Sequence, residues 1–462
     1  GLRYDWFQGE TRPSSLTASR INAGTSFGKC SDGRNDPRAG CTGKVQDWKD
    51  VSPRLGVAFD VFGNGRTAVK TAIARYVAGQ QIAVANAVNP VTALGLDDTR
   101  PWNDLDRNGS PYDANGNIQF NELTNSASTP AFGRNISTTS YDPEVLNGWG
   151  RRGYNWEYTA SAQHQLADRV SVNGGYFRRS FGNQTFTDDL RYDNSSYDGP
   201  FCITAPIDSN LPDAGGYRVC NLYDLKSGLQ SLTPNSLIRF SKDFGDGQTN
   251  LYQGFDLNLV SRFQNGAFLQ AGIGAVARTF SDCNELAAGS LETETYPDGS
   301  RYCEREYPYR PDLKVLGVYP LPYGIQFSGT YQFNRGVQTG GAGPSILATW
   351  AVPAASFVNP ATIGSTLGRP LNPANATKTV QLMREGLDYG DQNLNQLDLR
   401  MSKRFSFGRY RIRFDADLYN AFNSNWPYTL NANFSTAATS AWLRPTNVLQ
   451  SRMFKIGGQF DF

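Results

Sequence analysis

Leu397-Asp398-Leu399-Arg400-Met401-Ser402-Lys403-Arg404-Phe405-Ser406-Phe407-Gly408-Arg409-Tyr410-Arg411-Ile412-Arg413-Phe414-Asp415-Ala416-Asp417-Leu418-Tyr419 alternates with a two-residue period on both sides of a Gly-Arg turn. Leu397, Leu399 and Met401 oppose Asp398, Arg400 and Ser402. Beyond the turn, Tyr410, Ile412, Phe414, Ala416 and Leu418 oppose Arg411, Arg413, Asp415, Asp417 and Tyr419. Successive strand side chains point to opposite faces, so the stretch predicts a hairpin with an apolar face and a face carrying charges of both signs. A second sheet could cover the apolar face in a soluble sandwich, or a lipid shell could cover it in a transmembrane barrel whose lumen is polar.

Outward from this hairpin the same pattern recurs. Leu55, Val57, Phe59 and Val61 alternate up to Gly63-Asn64-Gly65-Arg66, and Thr67 to Val77 follows. Further hairpins are predicted over 156–181, 251–279 and 312–333, and Leu2 to Phe7 reads as a first strand. In the last strand, Arg452 to Phe462, Phe454, Ile456, Gly458, Phe460 and Phe462 oppose Lys455, Gln459 and Asp461. Turns within hairpins are a few residues long. The segments between them (8–53, 78–154, 182–250, 280–311, 334–393 and 423–451) are many times longer. Short turns on one side and long loops on the other characterise outer-membrane barrels. The expectation is therefore an all-β transmembrane antiparallel barrel of about twelve strands, with a soluble or surface carbohydrate-binding adhesive β-protein as the competing class.

Composition agrees with a polar-lumen barrel. The chain has 462 residues, 39% of them hydrophobic and 13% aromatic, with 47 glycines, three methionines and one histidine. No run of apolar residues is long enough for a membrane-spanning helix. A net charge of +2 makes no case for nucleic acid. The six cysteines fall as Cys30 with Cys41, Cys202 with Cys220 and Cys283 with Cys303. Local pairing within three outer loops is the most economical connectivity, and disulfides imply an oxidising compartment. Gly1 shows no initiator methionine or signal sequence, so the expectation is a carboxy-terminal portion of a longer protein.

Ser52-Pro53-Arg54-Leu55-Gly56-Val57-Ala58-Phe59-Asp60-Val61-Phe62-Gly63, Gly175-Tyr176-Phe177-Arg178-Arg179-Ser180-Phe181-Gly182-Asn183, and Leu397 to Phe405 continuing to Leu418-Tyr419-Asn420-Ala421-Phe422-Asn423 resemble the barrel of TonB-dependent outer-membrane receptors, in particular the Oar-like group. The resemblance spans nearly the whole of 1–462. It implies a barrel of about 22 strands filled by an amino-terminal plug, of which this chain holds the last part. It also implies residence in the bacterial cell outer membrane, contact with the bilayer and lipopolysaccharide, and energy from the TonB complex through a plug outside this chain. The implied activity is uptake of a scarce small or oligomeric ligand, a glycan, peptide or metal chelate, without chemistry on it. A passive outer-membrane porin is the close alternative.

Asp398, Arg400, Arg411, Arg413, Asp415 and Asp417 are expected to face the lumen, where they contact a plug, pair with one another, or both. Asp104-Leu105-Asp106-Arg107-Asn108-Gly109-Ser110 matches the first seven positions of an EF-hand calcium loop, but Asn115 stands where a bidentate glutamate belongs. Asp113 and Glu122 lie near enough in sequence to complete a cage, giving a possible structural calcium in the 104–115 loop; a plain solvated turn has the same composition. No other cofactor is required, and no hydrolytic motif occurs, so no enzyme is expected. Trp102, Trp149, Tyr217, Tyr307, Tyr309, Trp350 and Trp426 are the loop aromatics placed to stack on a ligand or to pack their own loops.

Overall fold

The computed structural model describes residues 1–11, 14–17, 25–27, 43–79, 83–88, 100–123, 139–229, 232, 235–245, 247–283, 302–339, 345–346, 348–373, 376–387, 393–437 and 440–462. Cys30 and Cys41 lie outside them. Twelve strands form one continuous antiparallel wall in chain order. They are β1 (Leu2–Thr11), β2 (Gly43–Asp60), β3 (Thr67–Val77), β4 (Tyr154–Ala167), β5 (Val170–Gly182) and β6 (Thr249–Arg262). The order continues through β7 (Phe268–Ser281), β8 (Glu304–Leu321), β9 (Ile325–Asn334), β10 (Leu394–Phe407), β11 (Tyr410–Tyr419) and β12 (Met453–Asp461). The sheet is not closed, and β1 and β12 stand at its two edges.

Register places the alternating residues as the sequence predicts. Across β10, β11 and β12, Arg400 pairs with Asp417 and Asp417 with Lys455, while Ser402 pairs with Asp415 and Asp415 with Gly457. The polar face is therefore continuous. On the other face Leu55, Val57, Phe59, Phe255, Leu257, Met401, Phe414, Phe454 and Phe460 are exposed, Ile456 by 73%. A soluble sandwich would bury these side chains between two sheets, so the soluble reading fails here. A connected apolar band of this extent needs lipid to cover it.

The hairpin turns are short because local chemistry closes them. Gly63 and Gly65 adopt φ of +66° and +73°, conformations that a β-carbon would strain, and the Gly65 amide donates to Asp60 Oδ2 at 2.7 Å. Phe62, Leu166, Phe263, Tyr323 and Phe407 sit exposed at or beside these turns, with Phe462 at the matching end of β12, and they form an aromatic-rich rim at this interface. His164 lies on the lipid-facing side of β4 near the same rim, its Nδ1 2.8 Å from Thr67 Oγ1.

At the opposite end the wall is taller than the alternation suggests. β2 and β8 each run for 18 residues, where a membrane crossing takes about 9–11. Their outer parts, with Gln46, Asp47 and Asp50 in β2 and Arg305 and Glu306 in β8, are too polar to show an apolar period. The long connections are folded as well. Tyr197–Thr204 pairs with Arg218–Leu225, and Thr349–Val352 pairs with Lys378–Gln381. The two hairpins share one core with Phe201, Ile203, Val219, Leu222, Val352 and Val380 at its centre and Trp442 from a third connection at its margin. Phe201 meets Phe357 edge to face at 6.2 Å.

Candidate functional site

The luminal face is a wall of paired charges. Arg400 Nη2 donates to Asp417 Oδ2 at 3.0 Å, Ser402 Oγ to Asp415 Oδ1 at 2.6 Å, and Arg413 Nε to Asp415 Oδ2 at 3.1 Å. Asp398 accepts from Gln396 Nε2 at 3.0 Å and from the Asn420 amide at 2.7 Å. Arg411 stands opposite Asp461 in register. Five of the six candidate lumen residues therefore have polar side-chain partners on their own wall, and the sixth has a carboxylate across from it.

At the outer end of this face, register assembles a row that no single strand displays. Glu157 of β4 pairs with Arg179 of β5, Arg179 with Tyr252 of β6, Tyr252 with Arg278 of β7, and Arg278 with Tyr307 of β8. Arg179 Nε donates to Glu157 Oε2 at 3.0 Å, and Arg278 Nε reaches Asn250 Oδ1 at 3.3 Å. The Tyr252 ring stacks on Phe177 at 5.7 Å, and the Tyr307 hydroxyl donates to Glu385 from an outer connection. Arg179, Tyr252, Arg278 and Tyr307 of this row line a cavity of about 860 Å³ together with Arg310, Asp312 and Trp426. Trp426 is 9% exposed, and its indole N–H has no hydrogen-bond partner among the described residues. Planar guanidinium forks bind carboxylate or phosphate, and the intervening rings stack on flat or sugar surfaces.

Of the seven candidate aromatics, only Tyr307 and Trp426 line this cavity. Trp350 is 8% exposed inside the outer-loop core, and Tyr217 packs against that core with its hydroxyl on the Leu382 carbonyl. Trp149 is turned to the bilayer side, its ring 5.8 Å from Tyr4, with Lys49 Nζ 6.0 Å from its centre. Tyr309 is likewise outside the wall, 5.6 Å from the lipid-facing Phe255. Both belong to an outer aromatic belt: Tyr309 through the outer part of β8, and Trp149 through a short strand, Asn147–Trp149, that pairs in parallel with Asp47–Lys49 of β2. Trp102 stays in its loop, bridged to Leu123. Arg179, Tyr252 and Arg278 were not singled out from the sequence, since their assembly depends on register between strands.

The remaining candidate residues occupy a compact loop over 100–123. The Trp102–Leu123 bridge and the bond from the Asn103 amide to the Glu122 carbonyl, 2.8 Å, bring Glu122 beside Asp104 and Asp106. Gly109 has φ of +73°, and its amide donates to Asp104 at 3.0 Å. Gln119 donates to Asp106 at 2.8 Å and is the main cause holding that carboxyl below the usual range. Asp113 is not part of this group. Its Oδ1 accepts from the amides of Asn115 and Asn117, both at 2.8 Å, and so closes a separate turn. Asn108 and Ser110 take part through the loop's own hydrogen bonds, Ser110 N to Asn108 Oδ1 at 2.7 Å.

The outer ends of β7 and β8 are clamped by Cys283 and Cys303, at disulfide distance with α-carbons 4.9 Å apart. Cys202 and Cys220 are at disulfide distance in the outer-loop core, with α-carbons 4.0 Å apart.

A membrane wall with an apolar exterior, a charged interior and elaborated outer loops defines an outer-membrane β-barrel. The chain belongs to the outer membrane beta barrel domain family, whose model matches residues 1–452. It is an outer-membrane protein, and its outward band meets bilayer lipid and lipopolysaccharide. No curated protein sequence matches it. Similar solved structures include the outer membrane transporter YddB from Escherichia coli, at 11% identity and a TM-score of 0.41, covering 89% of this chain and 41% of that one. Others are the siderophore receptor PiuA from Acinetobacter baumannii, at 9% and 0.37 with coverage of 100% and 40%, and a Pseudomonas aeruginosa FadL homologue, at 9% and 0.21 with coverage of 90% and 67%. The chain thus spans about two fifths of the length of the first two.

Proposed function

We propose that the chain is the carboxy-terminal part of the barrel of a TonB-dependent transporter, of the Oar-like group, which imports a scarce ligand across the outer membrane. The observation that carries this reading is the row Arg179-Tyr252-Arg278-Tyr307 in a cavity at the outer mouth of the lumen. A passive sieve has no use for a recess with this lining, whereas a receptor must capture a dilute ligand before moving it. The row suits a peptide or acidic glycan that offers carboxylates beside flat or apolar groups; a metal chelate with anionic oxygens is the third candidate. The ligand passes unchanged. The single histidine, His164, is on the lipid-facing side of the wall and away from the cavity. A plug supplied from upstream in the full-length protein would meet the paired charges of β10 and β11 and transmit energy from the TonB complex.

The test is uptake of labelled peptides, acidic glycans and chelates by cells carrying the full-length protein, with and without a functional TonB gene. Uptake that stops without TonB and falls at least about tenfold in Arg278→Ala is expected, the latter reflecting loss of a charge-assisted bond. Uptake that is indifferent to TonB would make the protein a passive channel.

A further inference from the structure

The loop between β3 and β4 holds a group of side chains that ligand import does not use. One carboxylate oxygen from each of Asp104, Asp106 and Glu122 lies within 4.8 Å of the others. Asp104 and Asp106 are exposed, but Glu122 is only 1% exposed. Glu122 Oε1 accepts from the amides of Leu105 and Asp106 at 2.8 and 3.2 Å, while Oε2 has no hydrogen-bond partner among the described residues. A buried carboxylate oxygen without a partner is costly, and two more carboxylates beside it add repulsion. Hydrogen bonds within the loop satisfy Asp104 and Asp106 in part but leave Glu122 Oε2 unpaired, and a cation among the three carboxylates would pair it.

We propose that this loop is a calcium site in which Glu122 supplies the acidic ligand that Asn115 cannot. The donors are all oxygens, which selects a hard cation over zinc or copper. Ligands about 2.4 Å from one calcium ion lie within about 4.8 Å of each other, and the three carboxylates satisfy that limit. Gly109 at position six of the Asp104-to-Ser110 run makes the sharp turn that such loops need. Glu122 enters from the far strand of the Trp102–Leu123 bridge. The ion therefore ties the start of the loop to its end, fixing a segment of the outer surface that has no wall strand of its own. This holds whether the barrel is a transporter or a channel.

The experiment uses the full-length protein in detergent, stripped with chelator and titrated calorimetrically with calcium chloride alone, alongside Glu122→Gln and Asp113→Asn. Heat-modifiable migration on gels confirms that each barrel is folded. The wild type is expected to bind one ion per chain in addition to any lipopolysaccharide background, in the range of about 10⁻⁴–10⁻³ M common for extracellular sites. Calcium should also protect residues 100–123 from limited proteolysis. Glu122→Gln should weaken binding at least about tenfold and abolish that protection, and Asp113→Asn should do neither. Where Glu122→Gln does not reach the membrane folded, Asp106→Asn takes its place with the same expectation. A folded Glu122→Gln or Asp106→Asn variant that binds and protects like the wild type overturns the proposal. Equal loss in Asp113→Asn overturns it too, because that residue lies outside the assigned ligands.

Discussion

Lys378 shows how much one side chain can disclose about the outer-loop core. It is 6% exposed, it donates to the Tyr223 carbonyl at 2.5 Å, and burial lowers its amine from an ordinary value of 10.5 to about 7, against the opposing pull of Asp224. Asp224 itself accepts from Arg369 at 2.6 Å and from the Asn372 amide at 3.0 Å. Between pH 7 and 10.5 the unfolded chain holds a proton at Lys378 that the folded unit lacks, so the outer-loop unit gains stability as pH rises through this window. Below about pH 7 both states are protonated and the contribution is flat. Hydrogen exchange at the amides of Val219, Leu222 and Val380, corrected for intrinsic rates, should show protection rising from pH 7 to 9. Lys378→Met should remove that slope and raise protection at neutral pH; a slope that survives the substitution would refute the assignment. A second residue-scale test concerns the two faces of β12. Ile456→Arg is expected to destabilise the barrel by about 2–4 kcal/mol, read from denaturant unfolding in lipid vesicles, whereas Gln459→Arg on the luminal face should leave assembly unchanged. Equal effects at both positions would mean that the faces are misassigned.

At the scale of elements, the five hairpins were legible because one face must meet lipid along its whole length, which enforces a two-residue period. The parts of β2 and β8 above the bilayer were not, since nothing there demands apolar residues on either face. The outer-loop core escaped for a different reason. Phe201 and Val380 belong to connections separated by two hairpins, and strands as short as Thr349–Val352 and Lys378–Gln381 carry too few residues to display a period. The loop aromatics illustrate the cost of reading composition without direction: Trp350 went into the core and Trp149 onto the bilayer side, while Tyr307 and Trp426 reached the cavity. Charge pairing on β10 and β11 was readable, but the Arg179-Tyr252-Arg278-Tyr307 row needed the register of four strands. The local cysteine pairings at 202–220 and 283–303 were visible from spacing alone. The first closes a loop with a sequence separation of 18 inside the outer-loop core, worth about 3 kcal/mol in the chain-entropy model. Reductant is therefore expected to lower amide protection at Ile203 and Leu222 while the wall strands keep theirs; loss of protection in β10 and β11 as well would mean that the loops and wall unfold as one unit.

For the whole molecule the open question is how the wall closes. β1 and β12 are both edge strands with apolar outer faces, Leu2, Tyr4 and Trp6 on one and Phe454, Ile456 and Phe460 on the other. Unpaired amides and carbonyls within hydrocarbon cost several kcal/mol each, so neither edge persists uncovered in a bilayer. Two closures meet that demand. β1 can pair with β12, giving a narrow barrel of twelve strands, or each edge can pair with strands from upstream, giving a wider one. The proposed transporter requires the wider closure, because a tight ring would leave little room beneath the outer-loop core for a plug. Cysteines introduced in pairs, one at Leu2, Tyr4 or Trp6 and one at Phe454, Ile456 or Phe460, discriminate between the two in intact outer membranes. Neighbouring strands place β-carbons about 4.5–5.5 Å apart, close enough for oxidative cross-linking in at least one pair. None of the nine combinations is expected to cross-link within the full-length protein. An efficient cross-link in any of them would show that the twelve strands close on themselves, and the lumen would then be too small for the plug that the proposed energised import requires.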